Sequence, residues 1–90
     1  MDQERLEKIK ASLDEVYQWP SLYMFKFIVP TISGKYESLM ELFPKEVDTY
    51  TKMSKEGKYT SVTIKEVLLS SDNVIDRYKA VNAIGGIIAL

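Results

Sequence analysis

The spacing of apolar residues changes period several times along this chain, and each change marks an element. Between residues 4 and 17, Leu6, Ile9, Leu13, Val16 and Tyr17 return at three- and four-residue steps with charges between them, the pattern of an amphipathic helix. Trp19-Pro20 ends it, because the residue before proline is pushed out of the α region. Residues 21–29 are then almost continuously apolar and rich in aromatic and β-branched types, as in a central strand covered on both faces. Lys26 is the one charge there. Strand alternation puts Met24 and Ile28 with it on the wetter face and turns Tyr23, Phe25 and Phe27 toward the helices.

After the loop Pro30-Thr31-Ile32-Ser33, Ser33 is read as the N-cap of a second helix over about residues 34–43. Its buried stripe is Tyr36, Leu39, Met40 and Phe43, and Pro44 stops it. Residues 46–53 form a more polar strand, suited to an edge. A turn at Lys55-Glu56-Gly57, with the glycine supplying positive φ, leads into a period-two strand over residues 59–69. There Val62, Ile64 and Leu68 face in while Ser61, Thr63 and Lys65 face out. Ser70, Ser71 and Asp72 are candidate caps for a third helix, with Val74, Ile75, Tyr78, Val81 and Ile84 on its apolar face and Gly85 as its stop. A last short strand spans residues 86–90.

After the leading helix the order is therefore β-α-β-β-α-β. Two right-handed split crossovers turn that order into an α+β, ferredoxin-like sandwich: a four-stranded antiparallel sheet ordered 4-1-3-2, with two helices on one face. The expected division is an N-terminal amphipathic helix over residues 1–18 and a ferredoxin-like domain over residues 19–90. The second sheet face stays open unless something covers it.

Composition narrows the chemistry more than the fold. The chain has 90 residues, one domain's worth, and 46% hydrophobic with 28% charged residues is ordinary for a globular protein. No run approaches the ~20 apolar residues of a membrane helix, and Met1-Asp2-Gln3-Glu4-Arg5 does not open a secretory signal. With no cysteine as well, a cytoplasmic protein is expected. The absence of histidine and cysteine removes imidazole bases, thiolate nucleophiles and nearly every transition-metal site, so neither a metal nor a cofactor is expected. The net charge of −1, with the signs interspersed, gives no footprint for nucleic acid.

One motif resembles a known family. Trp19-Pro20 before an aromatic-rich strand holding Lys26, the run from Ser54 through Gly57 to Tyr59-Thr60-Ser61-Val62, and the helix from Ser71 with the chain ending soon after Gly85 resemble the YbeD-like family of small uncharacterised bacterial proteins. The resemblance covers the chain from Trp19 onward. It implies a fold similar to ACT regulatory domains, which bind small effectors, and it brings no catalytic residues.

Four uses of the chain are weighed. An effector carboxylate could sit at the loop of Ser33, Gly34 and Lys35, where helix N–H groups, a hydroxyl and a cation converge, but the loop lacks an acid for a ligand amine and Ser33 is more simply explained as a cap. RNA could stack on the open face as in ferredoxin-like RNA-recognition domains, but Ser61 stands where a second aromatic is wanted and Tyr23 points inward. Met24, Ile28 and Tyr50 place apolar surface on the open face, for the N-terminal helix, a second subunit or a protein partner to cover, and pairing at the edge of the second strand is another route to a homodimer. Catalysis finds no constellation: Ser71 and Asp72 read as caps, and Asp14 and Glu15 as a solvated helix face. The expected function is a non-enzymatic regulatory or interaction module, with RNA binding as the alternative.

Overall fold

The computed structural model describes residues 3–90. Its elements are α1 (Gln3–Val16), β1 (Ser21–Pro30), α2 (Lys35–Met40), β2 (Asp48–Met53), β3 (Tyr59–Leu68), α3 (Ser71–Ile84) and β4 (Ile88–Ala89). The strands form one antiparallel sheet ordered β2-β3-β1-β4, so the expected ferredoxin-like order holds, with β1 and β3 central.

The face assignment follows from register. Phe25 lies opposite Ile64 and Phe27 opposite Val62, and all four are fully buried beneath the helices. Val29, Leu39 and Val74 complete the fully buried set, and Phe43, Leu68 and Val81 close around them. Rings knit the centre: Phe25 meets Phe27 stacked at 5.8 Å, and Phe43 and Tyr78 edge-on at 5.4 Å each. Such edge-to-face geometry matches the ring quadrupoles.

Helix α2 is shorter than the apolar stripe predicts. Gly34, not Ser33, is its N-cap residue, at φ 72, and no side chain caps it. At the other end the Leu42 and Phe43 amides bond back three residues, to Leu39 and Met40. Pro44 has no N–H with which to continue the helix. That tightened turn still delivers Phe43 to the core. Helix α3 keeps its expected limits: Ser70 Oγ accepts from the Asn73 amide at 3.3 Å, and Gly85 ends the helix at φ 77. With Gly86 also at positive φ, β4 starts only at Ile88, and β2 likewise begins two residues later than its polarity suggested.

Helix α1 packs on α3, on the same side of the sheet as the other helices. Leu13 joins the shared core, whereas Val16, predicted on the apolar stripe, is exposed. Polar contacts accompany that burial. Lys10 pairs with Asp72 at 2.8 Å, and Asp14 accepts from the Trp19 indole at 3.2 Å. Asp14 is exposed, as a solvated face requires, and makes these contacts as well. The Ser71 hydroxyl, then the Trp19 indole and Lys10, hold its carboxyl below the usual carboxylate range. Because the folded value is the lower one, this contribution is present above the unfolded pKa and fades as pH falls through the folded value. Protection factors of the α1 amides, corrected for the intrinsic exchange rate at each pH, are therefore expected to fall on acidification below about pH 4, before those of β1 and β3. Simultaneous loss in helix and sheet would contradict it.

Candidate functional site: the open sheet face

Since α1 joins the helical layer, the opposite sheet face is uncovered among the described residues. Register maps it. Leu22 lies beside Val67, Lys65 stands between Met24 and Asp48, Thr63 between Lys26 and Tyr50, and Ile28 between Ser61 and Ile88. Met24, Ile28 and Tyr50 therefore share one face, and Met24 and Tyr50 are 56% and 69% exposed. Leu22, Val67, Ile88 and Tyr59 add exposed apolar surface. Single exposed apolar residues are common; here several share one sheet face, with Lys26, Thr63 and Lys65 set among them.

The charges on this face are one-sided. Lys26, Lys52 and Lys65 stand on it, with Asp48 the acid at the strand positions and Glu46 at the rim beside Leu22, Asp48, Lys65 and Val67; none of the three lysines forms an ion pair among the described residues. Near the β2–β3 hairpin the surface dips into an open hollow of about 450 Å³ lined by Ile28, Lys52, Lys55, Tyr59 and Ser61. Gly57 turns that hairpin at φ 75.

The loop candidate is differently arranged. The Ser33 hydroxyl donates to the Pro30 carbonyl at 2.7 Å and accepts from the Lys35 amide at 3.3 Å, so it braces the loop from within. Lys35 Nζ donates to the Gly85 carbonyl at 2.8 Å, tying the start of α2 to the end of α3. Ser33, Gly34 and Lys35 are adjacent, but their polar groups serve internal contacts.

Two polar arrangements escaped the sequence reading. Glu66 is buried, and Arg77 grips it with both arms: Nε to Oε1 at 3.1 Å and Nη2 to Oε2 at 2.8 Å. Arg77 Nη1 also donates to the Leu42 carbonyl at 2.6 Å, and its guanidinium lies 5.0 Å from the Phe43 ring centroid. The signal was present, because Glu66 is in phase with inward-facing Val62, Ile64 and Leu68. The hydroxyls of Tyr23 and Tyr78 meet at 2.9 Å, and burial, then the Tyr23 hydroxyl, pushes the Tyr78 phenol well above its ordinary range. Tyr23 thus faces the helices, as its place in the alternation requires.

No helix of the described residues is long and apolar enough to cross a membrane, and no cluster of acidic side chains among them has the form of a metal site. A family model described as a protein of unknown function, DUF493, matches residues 14–90. A UPF0250 protein of Shewanella halifaxensis (strain HAW-EB4) is similar, at 28% identity over 83 residues covering 88% of this chain and 94% of that protein. No solved structure matches. The family match runs from the last turn of α1 through the hairpin motif to residue 90, and the chain belongs to the DUF493 family, YbeD-like as that motif implied.

Proposed function

We propose that this protein is a non-catalytic interaction module whose open sheet face receives an acidic, apolar segment of a protein partner. The observation that carries this reading is the coincidence, on one uncovered face, of exposed apolar side chains with three lysines, against Asp48 in the strands and Glu46 at the rim. Burying the apolar surface supplies affinity at roughly 25 cal/mol per Å². The lysines select the charge of the partner and speed its approach. Face-to-face stacking of two copies would oppose like charges, which disfavours a second subunit as the occupant of this face. The lack of histidine and cysteine supports a non-catalytic role, and an effector at Ser33 and Lys35 would have to displace the contacts those side chains already make.

The test is selection of binding peptides from a random library on the intact protein. Selected sequences are expected to combine Asp or Glu with large apolar residues. Their binding should fall at least about tenfold in Lys26→Glu, and persist in Lys79→Glu on the helical side. Selected peptides without acidic bias, or binding indifferent to Lys26→Glu, would overturn the reading. RNA is the rival outcome. The exposed Tyr59 and the lysines favour it, but the β1 positions beside them hold Met24 and Ile28, so little stacking surface is offered. No mobility shift of single-stranded RNA is expected even at low salt; a shift lost in Tyr59→Ala would replace the protein partner with RNA.

A further inference from the structure

We infer that the outer edge of β2 pairs with the same edge of a second copy, antiparallel about Tyr50, joining two sheets into one of eight strands. The contact runs along the backbone edge of β2, whose Asp48, Tyr50 and Lys52 side chains also border the face proposed above.

The edge is lightly guarded. β2 is the outermost strand, all six of its residues are exposed, and its one-to-one register with β3 contains no bulge. Its sequence, Asp48-Thr49-Tyr50-Thr51-Lys52-Met53, holds no proline. Bulges, prolines and charged side chains, lysine above all, ordinarily keep edges apart; the edge has neither of the first two, and its single lysine, Lys52, is matched within the strand by Asp48. The opposite edge, β4, is only two residues long.

The direction of the backbone groups can be read from the hairpin. The Ser54 amide donates to the Tyr59 carbonyl at 2.8 Å, in step with the register that sets Lys52 opposite Ser61. Hydrogen-bonded and non-bonded pairs alternate in antiparallel ladders. Asp48, Tyr50 and Lys52 therefore bond inward to β3, and the N–H and C=O of Thr49 and Thr51 point outward. The Ser61 hydroxyl donating to the Lys52 carbonyl agrees with that parity.

A two-fold axis at Tyr50 sets Thr49 against Thr51 of the second copy, so each outward amide finds an outward carbonyl. It also sets Tyr50 against Tyr50 at the closer, non-bonded spacing, and Asp48 against Lys52 twice. Aromatic, threonine and opposite-charge pairs are all favourable across strands. Moving the axis to Thr49 sets Asp48 against Tyr50 and sends Lys52 beyond the partner strand. Moving it to Thr51 sets Lys52 against Tyr50 and Asp48 against Ser54. Among these three, the register about Tyr50 alone matches both charges within the strand. Paired this way, two open faces become one continuous surface.

Sedimentation across the micromolar range tests the inference. The wild type should show a reversible monomer–dimer equilibrium. Thr51→Pro removes an outward N–H that the monomer does not use, so it should keep the wild-type circular dichroism and sediment as a monomer. Asp48→Lys and Lys52→Asp, both at exposed positions, should each weaken the dimer about tenfold or more. Mixing those two variants should restore association, because an acidic edge then meets a basic one. A monomeric wild type, a dimer that survives Thr51→Pro, or charge variants that associate alone as well as when mixed would each overturn it.

Discussion

Phe25→Ala is expected to destabilise the protein by about 3–5 kcal/mol, the range for removing a fully buried aromatic from a close-packed core. Domains of this size have total stabilities of about 5–15 kcal/mol, so the variant should lie at or near the edge of folding. Phe25 has no exposed surface, and four rings converge on it: Tyr23 at 4.8 Å, Phe43 and Tyr78 at 5.4 Å, and Phe27 at 5.8 Å. Those rings come from β1, α3 and the turn after α2, so the cavity would open where three elements meet and none could collapse into it alone. Phe25→Leu, which keeps much of the volume, should cost clearly less. Met24→Ala, one residue away on the open face, should change stability by no more than about 0.5 kcal/mol. Urea melts of the three variants check the ranking, and a Met24→Ala cost equal to that of Phe25→Ala would refute the assignment of faces.

That assignment was legible in the sequence because strand parity is binary. A single charge, Lys26, among aromatic neighbours decided which residues of β1 point to water, and the alternation from Ser61 to Lys65 decided it again for β3. The placement of α1 was not legible. Its stripe of Leu6, Ile9 and Leu13 would suit the open face as well as the helical layer. In the structure Leu13 enters the shared core, and Lys10 with Asp72 and Asp14 with Ser71 add polar contacts to α3, joining residues far apart in the chain. The loop at Ser33 was half legible: a hydroxyl beside a helix start was read as a cap, but Gly34 takes the left-handed geometry and Ser33 turns back to Pro30. Of the candidate face, Met24, Ile28 and Tyr50 were found from alternation, whereas Leu22, Val67 and Ile88 came into view only once register set the strands side by side.

The pairing of Glu66 with Arg77 makes the second large prediction. Arg77→Met would leave a buried carboxylate and the Leu42 carbonyl without their donors, at an expected cost of about 3–5 kcal/mol. Arg77→Lys should recover only part of it, since an ammonium cannot reproduce the two-armed grip or lie flat over Phe43. The penalty comes from the stranded charge more than from the lost attraction, which gives the prediction its shape. Adding Glu66→Met to Arg77→Met should return more than half of the lost stability, because a well-packed apolar pair of similar volume is often as stable as a buried ion pair. A double-mutant cycle from urea melts measures this directly. A single Arg77→Met cost under about 1 kcal/mol, the scale of an exposed ion pair, would mean that Glu66 reaches water and that the pair does not clamp α3 to the sheet.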